Sequence, residues 1–166
     1  MMLNEDDQVK AASRDLERSS TLSDYEAVDV LWVAIIRVAN LEDAQSEHKR
    51  FLALLDRLPA AEIAGLLAAP SVDALLDLDP PLESIRSFVH ERLDVQRTAD
   101  ELASVRDNRA SEPKVALASL AETLKRIRNR RAHGFKTPDG PRDQVVLGAA
   151  TDILRKVCGL AIRLRT

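Results

Sequence analysis

Apolar residues in this chain recur at intervals of three and four, and no stretch alternates convincingly with period two. That spacing lines up side chains on one face of a helix, so the chain is restricted to helices that bury a single stripe each. One stripe is Val28, Leu31, Trp32, Ile35, Val38 and Ala39; a second is Val115, Leu117, Leu120, Leu124 and Ile127. A third is Val145, Val146, Ala149, Ile153, Leu154, Val157 and Leu160. Only five of the 166 residues are glycine, and Ala, Leu, Asp, Glu and Arg are abundant, which favours helix over strand. The expected fold is all-α, an up-and-down bundle with additional short helices.

Local signals set the boundaries. Residues 1–22 are polar, with a weak helical tendency around Val9 to Leu16, and are expected to form an arm or loosely attached helix ahead of a helical domain at 23–166. Ser23-Asp24-Tyr25-Glu26 reads as a capping box that opens the first long helix. Asn40 marks a break, after which Leu41, Ala44, His48, Phe51, Leu52, Leu55 and Leu58 keep the helical spacing up to Pro59. His48 sits on that stripe and is expected to pack there.

Proline is tolerated near a helix start, so Pro59, Pro70 and Pro80-Pro81 cut the middle into short helices, about Ala60 to Ala68 and Val72 to Leu76. A longer helix is expected from Leu82 to about Arg106, capped by Asp79, with Ile85, Phe88, Val89, Leu93, Val95 and Leu102 inward and His90 at the boundary. Arg106 to Ala110 reads as a polar loop. Ser111 is placed to cap the next helix, with Pro113 in its first turn and Gly134 at its end. A turn at 137–141 leads into a last helix from about Arg142 to Leu164.

The hydrophobic fraction of 45% and charged fraction of 31% are those of a globular domain. The N-terminal segment is acidic and has no apolar run, so neither a signal peptide nor a spanning helix is expected, and the reading is cytoplasmic with no membrane partner. Cys158 is the only cysteine and stands in an apolar helix, where it is expected to behave as a small buried hydrophobe. No His, Cys, Asp and Glu cluster has metal-ligand spacing, and no Gly-rich loop cradles a nucleotide, so no metal or cofactor is expected. Aromatic residues make up 3%, too few for a base-stacking platform.

Net charge is −3, yet its distribution is uneven. Lys125, Arg126, Arg128, Arg130, Arg131 and Lys136 crowd together with no acid among them, a local patch able to attract phosphate. Projected at about 100° per residue, Arg128 falls within about 60° of the stripe containing Leu117, Leu120, Leu124 and Ile127. An arginine there needs a partner. One reading is an internal ion pair with Asp143, Asp152 or an acid of the first long helix. The other is that the stripe emerges into a groove or subunit interface where Arg128 meets a phosphate bidentately.

The run Arg128-Asn129-Arg130-Arg131-Ala132-His133-Gly134 resembles the signature of the HEPN superfamily of helical nucleotide-binding proteins and RNases: an Arg, four to six residues, and a His, often with a polar residue after the Arg. Gly134, Lys136, Pro138, Pro141-Arg142-Asp143 and the apolar helix to Leu164 resemble the downstream part of such domains, and Leu31-Trp32-Val33-Ala34 is a weaker echo. Phe135 departs from the small residue that often follows the glycine.

The resemblance implies a metal-independent endoribonuclease of the kind deployed as toxins or in phage defence. It further implies a homodimer with a composite cleft, RNA as substrate and an antitoxin protein as possible partner. Arg128, Asn129 and His133 would be catalytic, with Arg130, Arg131 and Lys136 binding RNA. The alternative is a non-catalytic module of the same fold that binds nucleotide, RNA or a partner protein. On a regular helix His133 points about 140° away from Arg128, so the two share a site only if the last turn unwinds or two copies converge.

Overall fold

The structure, a computed structural model, describes the backbone of residues 4–78, 89–132 and 140–166, with side chains at 4–78, 98–129 and 140–166. Among the described residues there are eight helices and no strand: α1 (Glu5–Ser19), α2 (Asp24–Ala39), α3 (Glu47–Asp56), α4 (Ala60–Leu67), α5 (Pro70–Leu76), α6 (Val89–Asn108), α7 (Pro113–Ala132) and α8 (Pro141–Arg163). The protein is an all-α bundle.

The centre of the bundle is α2. All six residues of its expected stripe are buried, and it packs against α1, α3, α7 and α8. Its start is fixed as expected: the Glu26 carboxylate accepts from the Ser23 backbone N–H at 3.3 Å and from the Ser23 hydroxyl at 2.8 Å. Asp24 lies against α8 at Gly148, where a Cβ would sit 3.3 Å from Asp24 Oδ2. A larger residue at that crossing would need the Asp24 carboxylate to give way by a few tenths of an ångström. Trp32 and Phe51 lock α3 onto α2, with ring centroids 5.2 Å apart and planes tilted by 50°.

The N-terminal residues form a longer helix than their polarity suggests. α1 docks with Val9, Ala12 and Ser19 buried, antiparallel to α8: Arg165 reaches Glu5 at one end, and Arg155 donates to the Ser19 hydroxyl and carbonyl at the other. Small contact residues let the two backbones come close, so few large apolar side chains are needed.

The proline-bounded middle matches expectation, with α4 and α5 close to the anticipated limits. Other expectations are corrected. Arg106, Asp107 and Asn108 are helical, because Arg106 donates to the Leu76 carbonyl at 2.8 Å and Asn108 to the Ser104 carbonyl at 2.9 Å, which gives this polar end tertiary and local anchors. Glu112, not Ser111, precedes the first residue of α7, and its carbonyl accepts from the Ala116 N–H. Val115 and Val145 are exposed, 44% and 51%, since each lies at the margin of its stripe. His48 faces solvent, with Nδ1 3.4 Å from Glu122, because the chain breaks at 40–46 and α3 restarts with a different face inward. Residues 79–88 and the side chains of 89–97 lie outside the described residues, and with them the expected Asp79 cap and the inward positions Ile85, Phe88, Val89, Leu93 and Val95, as well as His90. Leu102 is buried as expected, together with Thr98 and Val105.

Candidate functional site

Any site at the C-terminal end of α7 is built on a rigid helix. Leu117, Leu120, Leu124 and Ile127 are buried, and two neighbours hold the outer faces. α6 lies antiparallel to α7: Arg126 forms a two-pronged ion pair with Glu101 at 2.9 and 3.0 Å, and the Ser119 hydroxyl donates to that of Ser104 at 2.8 Å. α3 holds the other flank through His48 and Glu122, and Lys114 donates to the Asp56 carbonyl at 2.6 Å.

Near the end of this helix, Arg128 leaves the core for the flank of α2. Its Nε donates to Asp29 Oδ1 at 3.0 Å, and its Nη1 donates to Asn129 Oδ1 at 3.3 Å. Of the three internal partners anticipated, the acid from the first long helix is the one that pairs. Asp152 is engaged elsewhere, accepting from the Ser71 hydroxyl at 2.6 Å and from Lys156, while Asp143 is buried in the first turn of α8. Among the described residues, Nη2 of Arg128 has no acceptor. The side chains of Arg128 and Asp29 keep 32% and 29% of their surface in solvent, so the pair is neither dry nor sealed.

The two arginines on this turn differ in geometry. Arg126 uses both prongs on Glu101, with 14% and 15% of the two side chains exposed, whereas Arg128 gives its carboxylate partner one N–H. A planar guanidinium has five donors in a fixed fork, so partners on Nε and Nη1 fix the direction in which Nη2 presents its N–H groups. Asn129 contributes its amide oxygen to holding that fork, which leaves the amide nitrogen as its donor end.

The structure thus brings Arg128 and Asn129 together and adds Asp29, which sequence reasoning had not singled out. The signal for an acid was present, since an arginine on a buried stripe demands a partner. Its identity was not, because the register between α2 and α7 is set by tertiary packing. Arg130 and Arg131 belong to the helical backbone of α7, but their side chains, together with all of His133, Gly134 and Lys136, lie outside the described residues.

Among the described residues no group of three or more His, Cys, Asp and Glu could hold a metal ion, and no helix is long and apolar enough to cross a membrane. Cys158 is buried between helices. Desolvation, reinforced by the Asp15 charge, pushes its thiol up to about 12. Set against models of known protein families, curated proteins and solved structures, the chain matches none of them.

Proposed function

We propose that this bundle is a HEPN-type, metal-independent endoribonuclease that works as a homodimer, with Arg128, Asn129 and His133 in a composite cleft. The observation that carries the reading is the partly used fork of Arg128: Nε is held by Asp29 and Nη1 by Asn129, and Nη2 is left for an oxyanion. Cleavage of RNA without metal needs a base for the 2′-hydroxyl, an acid for the departing 5′-oxygen and positive charge on the phosphorane oxygens. In this reading His133 moves the protons, since imidazole titrates near neutrality. Arg128 stabilises the phosphorane, while Asn129 supplies a further donor. Arg130, Arg131 and Lys136 guide the strand by charge.

Attack of the 2′-oxygen on phosphorus breaks the bond to the 5′-oxygen, so the products are a 2′,3′-cyclic phosphate and a 5′-hydroxyl. A toxin or phage-defence role, a cytoplasmic setting and an antitoxin partner belong to the same proposal. They rest on the sequence resemblance centred on residues 128–134.

A second reading is favoured by the Arg128–Asp29 pair itself, which gives the arginine an internal structural role. It is a non-catalytic module of the same fold that binds nucleotide, RNA or a partner protein. The discriminating experiment is His133→Ala assayed on a mixed RNA pool in magnesium-free buffer with EDTA. Loss of cleavage with RNA binding retained supports the nuclease. Unchanged cleavage removes His133 from the chemistry, and no cleavage by the parent chain with RNA binding intact favours the module. Mass measurement in solution tests the dimer separately, because a strictly monomeric chain offers no composite cleft.

A further inference from the structure

A cleft of about 290 Å³ lies between α4 and α8, on the part of α8 remote from the Arg128 end, with Gly65 and Leu66 on one wall and Arg155, Lys156, Gly159 and Arg163 on the other. Its charges are unevenly satisfied. Lys156 is paired with Asp152, whose charge Arg155 also feels while it donates to two oxygens of Ser19, and Arg163 is exposed, with no described residue accepting from it. A single acid, Glu62, stands on the lining, and it makes no ion pair with Arg163. One Arg163 Nη1 lies 3.5 Å from where a Gly159 Cβ would be, so the guanidinium folds back over the glycine and into the cleft.

The glycines add an independent argument. Gly159 stands within α8, where glycine costs roughly 1 kcal/mol relative to alanine, and Gly65 stands in the last turn of the short α4, where the cost is smaller. Packing does not demand either: a Cβ at Gly65 meets nothing within 4 Å, and at Gly159 it makes only ordinary contact with Arg163. A helix weakened without a packing return, at two positions that open the same hollow, points to use of the hollow.

We propose that the α4–α8 cleft is a binding site for a small organic oxyanion, a phosphate or carboxylate carried on a compact apolar body. The guanidinium of Arg163 grips the anion, the charge of Arg155 reinforces it, and the body rests on the glycine and leucine floor. Size decides against a protein partner, since a stable protein interface needs about 800 Å² from each side. The cleft instead stands at the lower edge of the range of about 300–1,000 Å³ that small-molecule sites occupy.

The test follows the Gly65 and Gly159 amide resonances of the isotope-labelled full chain during titration with phenyl phosphate, benzoate, inorganic phosphate and benzyl alcohol. Saturable shifts at both glycines with phenyl phosphate or benzoate support the site, and the stronger of the two identifies the anion it prefers. Arg163→Gln should weaken that binding about tenfold or more, the loss of one charge-assisted contact. Gly65→Leu starts from a Cβ that meets nothing within 4 Å, projects bulk toward the cleft and should abolish binding while thermal stability holds. The proposal is overturned if neither anion saturates at millimolar concentration, or if benzyl alcohol binds as well as the anions. It is equally overturned if inorganic phosphate reproduces the shifts with the same affinity and Gly65→Leu does not change them.

Discussion

Asp29→Asn removes the charge that faces Arg128 while keeping the size of the side chain, and its two expected effects differ in scale. Both members of the pair keep close to a third of their side-chain surface exposed. Solvent screening therefore limits the stability at stake to about 1 kcal/mol or less. For a chain of this length that is a fall in melting temperature of about 2–4 °C at most. The loss of orientation is the larger effect. If the chain is the nuclease proposed above, a guanidinium freed to swing by an ångström would no longer meet the developing charge on phosphorus, and misplacement of that order costs about a hundredfold in rate, near 2.7 kcal/mol of barrier. Initial rates on a fluorophore-quencher RNA in EDTA, measured well below the melting temperature established by circular dichroism, separate the two. Arg128→Lys is the companion variant, keeping the charge but losing the fork, and a comparable fall in rate is expected. A wild-type rate in Asp29→Asn, with the melting temperature lowered as calculated, would refute the idea that Asp29 positions a catalytic fork and leave the pair purely structural.

Other outcomes follow from the same geometry. Arg126→Ala leaves Glu101 nearly buried without its two-pronged partner and should cost about 3 kcal/mol in urea unfolding, whereas Arg128→Ala should cost under about 1 kcal/mol. Ile127→Ala empties a fully buried position beside the motif and should destabilise by about 2–5 kcal/mol, read in the same assay. Cys158 has its folded pKa raised from 9.0 to about 12, so its contribution to stability is complete below pH 9.0 and is lost as pH rises toward 12. Cys158→Ala should flatten that alkaline loss, and the native thiol should stay inert to alkylating reagents at neutral pH. For Asp152, burial works to raise the pKa, but hydrogen bonds from Lys156 and Ser71 and the charges of Lys156 and Arg155 outweigh it and hold it below 3.8. The stability advantage of wild type over Asp152→Asn should be present above that value and vanish as pH falls through the folded pKa, measured by urea titration across acid pH.

Much of the bundle was legible because its largest helices carry their cores in one stripe. The six positions named for α2 are all buried, and the prolines divide α4 from α5 where steric exclusion requires. What escaped has physical reasons. α1 is held by Ala12, Ser19 and hydrogen bonds from Arg155, contacts that scarcely register as hydrophobic periodicity. The end of α6 is stabilised by the carbonyl of Leu76, thirty residues earlier in the chain, so its composition reads as loop while its tertiary contact makes it helix. His48 shows the converse. A histidine at stripe spacing reaches the surface because a break at 40–46 resets the helical phase.

At the candidate site the sequence established a need rather than an arrangement. Arg126 and Arg128 are equivalent letters two places apart, and only three-dimensional packing distinguishes them. On a helix they diverge by about 200°, so one faces α6 and the other faces α2. The first meets a carboxylate on both prongs and is spent there; the second meets one prong only, beside an asparagine that braces it. An arginine used solely for stability gains most from the first arrangement, because each unmade bond in a partly buried fork forfeits attraction without recovering the cost of desolvation. Retaining an open donor, Nη2, near the helix end is therefore the arrangement to look for where a second anion is to be received. It is also the feature that Asp29→Asn disturbs while changing neither the fold nor the local count of positive charges.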